Sequence, residues 1–330
     1  MTTVMENGLT EPTANVTPKI VYLDQNKWID LARAVKAPDD FPKHYAVLEK
    51  LVEGSKAGEL LVPLTQSNIY ETHKISDRGR RHDLAFAQAT LSQGRVFRGR
   101  SKRLEIEATD VMRRAFGLEP LTQKPHWFLS NVFFEATIEW EVDGLGGKVS
   151  PRVFEAIQRD PPRFLYDYLM NTPEDVRQAA VRKFSEGSEK LRQRVEARRA
   201  RDANEPLSMR RRIYSATLMV DDLDFLNGLI AKAGLPTTNG REIFQKCARK
   251  LITDSPSYFI ERELTLKLEA LSRQIEQNDF RDMQSFGAVV AYADIVVAEN
   301  MFSNLARQSQ LDKKFGTEII TALGGLTSYL

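Results

Sequence analysis

The sequence predicts an α/β fold: a parallel sheet flanked by helices, interrupted by a large all-helical insertion. Three observations carry this. Short apolar runs alternate with segments of helical period over residues 19–116, the signature of a parallel sheet covered by helices. From 117 to 277 strand signals are few and helical ones many. After Asn278 the alternation returns, and two short strands at the end of a chain need a sheet to join. The expectation is one discontinuous α/β domain, 19–116 with 278–330, into which 117–277 is inserted. The alternative is an N-terminal α/β domain followed by an independent helical one. Residues 1–18, rich in Thr, Asn, Pro and Glu, read as a flexible tail.

The elements follow in order. Lys19 to Leu23 (KIVYL) is an apolar run suited to a buried strand, and it ends at Asp24. Asn26 is a plausible cap for the helix KWIDLARAV, whose inward stripe is Trp28, Leu31, Ala32 and Val35. A second helix is expected over 44–57, with Tyr45, Leu48, Leu51 and Val52 inward and Gly58 as its stop. LLVPL at 60–64 is a second strand, and Thr65 caps the helix that carries Glu71. Gly94 to Phe97 gives a third strand, followed by a helix over 104–116. Helices are then expected at 150–169, 173–200, 206–232, 240–252 and 258–277, punctuated by prolines. The last elements are a helix at 282–292, a strand at Ile295–Ala298, a helix at 301–310 and a strand near Glu318–Thr321.

Composition excludes several classes. Cys247 is the single cysteine, so no intrachain disulfide forms, which fits a reducing, cytoplasmic location. The four histidines are scattered without the spacing of a zinc site. No apolar run reaches the ~20 residues of a membrane span, and no signal peptide is visible. Net charge is +2, so affinity for nucleic acid would have to come from local patches.

The chemistry rests on four acids. Asp24 and Glu299 each follow an apolar strand, at the edge of a parallel sheet where ligands bind. Glu71 lies about two turns into its helix, so it can face the same edge. Asp282 begins the helix before the strand IVVA. Four gathered carboxylates repel one another and their pKa values rise. A divalent cation removes that cost, and oxygen-only ligands select Mg²⁺ or Mn²⁺. Taken singly, each acid reads as a helix cap or a solvated charge. Asp279 is expected to cap the helix that Asp282 enters, and Asp294, preceding its strand, to be structural at the opposite edge. Asn26 and Thr65 are read as caps before second-layer partners of the carboxylates.

The segments IVYLDQN, PLTQSNIYE and DMQSFGAVVAYADIVVAEN resemble the PIN-domain family of nucleases. The resemblance covers 19–100 and 278–321. It implies that Asp24, Glu71, Asp282 and Glu299 are catalytic metal ligands, with Glu299 standing where Asp is more usual. It also implies a metal-dependent phosphodiesterase that favours RNA. The alternatives are a DNA-cleaving or phage-defence nuclease on the same site, or a degenerate PIN-like module that binds nucleic acid or protein. An oligomer or an inhibitor partner is left open.

Two basic clusters are candidates for a phosphate backbone. The first is Arg78, Arg80, Arg81 and His82 with Arg95, Arg98, Arg100, Lys102 and Arg103. The second is Arg192, Arg194, Arg198, Arg199 and Arg201 with Arg210, Arg211 and Arg212, where interspersed glutamates favour a solvated helix face. GLGGKVS at 144–150 is not a P-loop, and the aromatic run from Phe128 to Trp140 reads as core.

Overall fold

The structure, a computed structural model, describes residues 17–136 and 151–330. The expected tail up to residue 16, Trp140 and the GLGGKVS stretch lie outside the described residues. The fold is mixed α/β and mostly helical, built on a small parallel sheet.

Four strands form that sheet: β1 (Lys19–Leu23), β2 (Leu60–Leu61), β5 (Ile295–Val297) and β6 (Glu318–Ile320), in the order β2-β1-β5-β6, all parallel. Strands from opposite ends of the sequence therefore lie side by side, with Leu23 opposite Val297. Period-two alternation gives each face of β1 its own core. Val21 and Leu23 pack in one cluster with Trp28, Leu31, Leu51 and Leu64. Ile20 and Tyr22 pack in the other with Phe280, Phe286, Val296 and Phe302. Asp294 fixes the register at the amino edge: its backbone N–H donates to Ile20 O (2.9 Å) and its carboxylate accepts from Ile20 N (2.7 Å).

The helices on the N-terminal side are α1 (Gln25–Lys36), α2 (Pro42–Lys56), α3 (Gln66–Lys74), α4 (Arg78–Ser92) and α5 (Arg100–Ala115). In α1 the expected stripe is corrected at one place: Val35 is 44% exposed and Ala34 is buried instead. Two further strands, β3 (Val96–Phe97) and β4 (Leu129–Ser130), pair antiparallel in a separate ribbon. The third expected strand thus leaves the main sheet, linked to the segment after β2 by a bridge between Leu64 and Val96 and packed on β1 through Phe97 against Tyr22. The presence of β4 also means that the middle of the chain is not purely helical.

That middle continues as α6 (Pro151–Arg159), α7 (Pro161–Asn171), α8 (Glu174–Arg201), α9 (Leu207–Asp221), α10 (Leu223–Ile230), α11 (Gly240–Asp254) and α12 (Pro256–Glu269). It wraps the sheet domain closely. Leu165 and Leu169 of α7 share a core with β1, and α8 packs on α3. Helix α5 turns the other way: Leu104, Ala108 and Met112 join Leu226, Leu251 and the buried Cys247 in an all-helical cluster. The chain closes with α13 (Gln277–Val289), β5, α14 (Asn300–Gln308), α15 (Leu311–Phe315) and β6. Among the described residues no helix is long and apolar enough to cross a membrane.

Gly94 joins the two halves. Its φ of +71° is a conformation that side chains resist, and a Cβ there would stand 2.6 Å from the Pro161 carbonyl oxygen at the start of α7. Gly94→Ala is expected to cost about 2 kcal/mol or more, as strain and clash add. Urea titration against the parent checks this; an unchanged midpoint would refute the close approach.

Candidate carboxylate site

The sheet order reverses between β1 and β5. From β1 the chain moves outward to β2, and from β5 it moves the opposite way to β6. A crevice opens beyond the carboxyl ends of strands at such a point, and both strand-terminal acids lie there. The backbone N–H of Asp24 donates to Val297 O (2.9 Å), two residues before Glu299.

Asp24 is the N-cap of α1, its carboxylate accepting from Gln25 N at 2.8 Å. This corrects the expected cap at Asn26, whose side-chain amide instead donates to Glu299 and holds that carboxylate. Glu299 is the N-cap residue of α14. Asp282 does not begin its helix: α13 starts at Gln277, so Asp282 sits in its second turn. Asp279 is not the cap either. Glu276 is, and Asp279 completes the capping box by accepting from Glu276 N (2.8 Å) while pairing with Arg273 at 2.7 Å.

Asp24, Asp282 and Glu299 line one pocket, walled by Tyr22, Ser285, Phe286 and Phe302. Burial pushes the Asp24 carboxyl up to about 6, against the Gln25 N–H that lowers it and with the charges of Glu299 and Glu71 adding to the rise. Burial likewise pushes Asp282 up to about 7, helped by the charges of Asp24, Glu299, Asp279 and Glu71. Burial raises the Tyr22 hydroxyl far above its ordinary range, and Asp24 adds to it. That hydroxyl faces Ser285 and Thr65 without completing a hydrogen bond.

Glu71 stands apart. It is close enough for its charge to act on both aspartates, but it does not line their pocket. Arg281 approaches it at 3.4 Å and Lys74 at 3.9 Å. Its helix is locked from behind by buried amides. Asn68 accepts from Thr65 N at 2.9 Å, and Asn68 and Gln88 both donate to Gln25 Oε1 at 3.2 Å.

The donor set fits a hard divalent cation in kind, because every carboxylate oxygen is a hard ligand and two aspartates are held where ionisation is costly. It is not gathered into a closed cage: among the described residues no group of three or more His, Cys, Asp or Glu is arranged to hold a metal ion. Sequence reading missed Tyr22, Ser285 and Arg281. Ser285 was accessible in principle, since it follows Asp282 by three residues on one helix face.

The basic clusters are largely used up inside the fold. Arg81 donates to Ile75 O (2.6 Å), Arg100 pairs with Asp222 (2.7 Å) and Glu261 (2.5 Å), and Arg103 is buried on the carbonyl of Arg98. Arg198 and Arg210 share Glu269, and Arg211 pairs with Glu263. Of the first cluster Arg78, Arg80, His82 and Lys102 remain exposed, and of the second Arg194, Arg201 and Arg212. No family model, characterised protein or solved structure matches this chain.

Proposed function

We propose that the chain is a metal-dependent phosphodiesterase acting on nucleic acid, with RNA the favoured substrate through the PIN-domain resemblance. The observation that carries this reading is the convergence of Asp24, Asp282 and Glu299 on one pocket at the switch point of a parallel sheet. Asp24 and Asp282 would hold Mg²⁺ or Mn²⁺, with Glu299 beside them. When bound, the cation supplies neutralising charge and lowers the pKa of a water. The chain's own residues do the rest. Asn26 orients Glu299. Tyr22, Phe286 and Phe302 keep bulk water from the buried side of the pocket. Glu71, held by Arg281, adds negative charge at the rim without lining the pocket.

One observation favours a second reading. With Glu71 turned to Arg281 and no closed cage among the described residues, the scaffold would bind a strand without cutting it. Labelled RNA, single-stranded DNA and duplex DNA, each incubated with Mn²⁺, with Mg²⁺ and with EDTA, separate the two. Cleavage in metal alone supports the enzyme, and the substrate that is cut decides between RNA and DNA. Intact strands throughout would leave the binding module.

A further inference from the structure

A second niche adjoins the carboxylate pocket and shares Ser285 with it. Its lining is of a different kind. Gln66 and Ser67, from the first turn of α3, form one side, and Gln284 of α13 forms another. Arg98 and Arg103 close it beside Gly99.

Two features point the same way. First, two helices begin at this niche. The positive ends of α3 and α5 both favour an anion. Gly99, the N-cap of α5, has no side chain to satisfy the first amides of that helix. Second, Arg103 is 4% exposed and donates through its two terminal nitrogens to the carbonyls of Arg98 and Gly287, yet its Nε has no hydrogen-bond partner. The Nε of Arg98 is also buried without one; it lies 3.1 Å from Glu135, in a geometry that completes no hydrogen bond. Gln66 and Gln284 line the niche as neutral amides, so neither opposes an anion by charge. Unsatisfied buried donors are costly, and a native fold keeps them where a ligand meets them.

We infer that this niche is an anion subsite that takes a phosphate of the nucleic-acid strand next to the one presented to the carboxylates. The inference rests on the phosphodiesterase reading for its ligand, but its geometry is independent of cleavage. The division of labour is physical. The carboxylate pocket repels a phosphate until a cation neutralises it, whereas the niche attracts one through Arg103 and two helix ends, the charge of Arg98 being offset by Glu135. Ser285, on the shared wall, places the two within one strand's reach.

The test uses the whole chain in Ca²⁺ with a fluorescently labelled single-stranded RNA, the strand checked for integrity on a gel. Gln66→Glu and Gln284→Glu each set a negative charge in the niche without changing side-chain size. Each is expected to weaken binding about tenfold, the loss of one charge-assisted phosphate contact. Inorganic phosphate should compete with the strand. A thermal melt of each variant guards against misfolding, and either well-folded variant decides the matter. Parent-like affinity in the folded variants would overturn the proposal, as would a parent that binds no strand. Binding of inorganic phosphate with no binding of the strand would also overturn it, because the niche would then serve a free anion. A chain that binds through the niche and cuts nothing would keep the subsite and sink the nuclease.

Discussion

Asp24→Asn and Asp282→Asn are each expected to abolish metal-dependent cleavage and, above about pH 7, to make the protein more stable. The first effect follows from the proposed role of the carboxylates: losing one ligand charge forfeits several kcal/mol of transition-state stabilisation, a rate loss on the order of 10³-fold. The second follows from the raised acidities. Burial and neighbouring charge place the Asp24 and Asp282 carboxyls at about 6 and about 7 in the folded chain, against 3.8 ordinarily. The folded state then holds more protons than the unfolded one between those limits, so stability falls as pH rises from about 4 to about 7. Below about pH 4 both states are protonated and the sites cost nothing; above about pH 7 the full cost is present. An amide removes it, and at position 24 an Asn side chain still caps α1. The gain should be on the order of 2 kcal/mol, because relieving one carboxylate also relieves its neighbour. Melting curves at pH 4.5 and pH 8 check the sign, with variant and parent converging at the lower pH. Variants that melt below the parent at pH 8 would refute the repulsive cluster. Variants that cut as fast as the parent would refute the site.

The two effects separate function from fold. A residue placed for packing loses stability when it is changed, whereas a carboxylate kept against its own repulsion gains it. Strain of this kind is expected where a site, and not the fold, sets the residue. The same measurement on Asp294 should run the other way, since its carboxylate accepts a hydrogen bond from the buried strand β1.

Some of this was legible in the sequence for identifiable reasons. KIVYL and IVV read as strands because both are short, continuous and apolar, and such runs belong in buried parallel sheets. Their pairing across the length of the chain followed from the need of isolated strands for a sheet. The position of Asp24 and Glu299 at one edge followed from strand direction alone. The phase of α3 was not legible. Ser67, Asn68, Ile69, Tyr70, Thr72 and His73 are all buried, so the helix has no polar stripe from which to place Glu71. Helix α4 was hidden by its opening RGRRHD, which reads as a basic surface patch, while its inner face mixes Leu84 and Leu91 with alanines, Gln88 and Ser92. The arginines misled most. Charged side chains are expected outside, yet Arg81, Arg103, Arg198 and Arg281 are buried on carbonyls and carboxylates that only the tertiary fold brings to them.

That reversal makes the largest stability prediction. Glu269 of α12 is 1% exposed and is gripped by Arg198 of α8 at 2.6 Å and by Arg210 of α9 at 2.8 Å, with Arg198 also lying 4.2 Å over the Tyr214 ring. Glu269→Ala leaves two arginines facing a buried gap with no counter-charge, and it is expected to cost about 3–5 kcal/mol. Replacing all three residues by Leu should cost far less, or even stabilise, because the desolvation of three charges disappears together with their attraction. A control lies two turns earlier on α8. Glu189 and Arg192 form an equally short pair at 2.7 Å, but at the surface with both side chains reaching solvent, where screening leaves little to lose. Glu189→Ala should leave the denaturation midpoint almost unchanged. Guanidinium titrations of the three variants therefore rank burial against pairing. A small effect at Glu269, or one no larger than at Glu189, would mean that α8, α9 and α12 are held together by their apolar contacts and that the charges are incidental. A large loss in Glu269→Ala that the triple-Leu variant restores would show that the arginine-rich middle of the chain spends its charge within the fold.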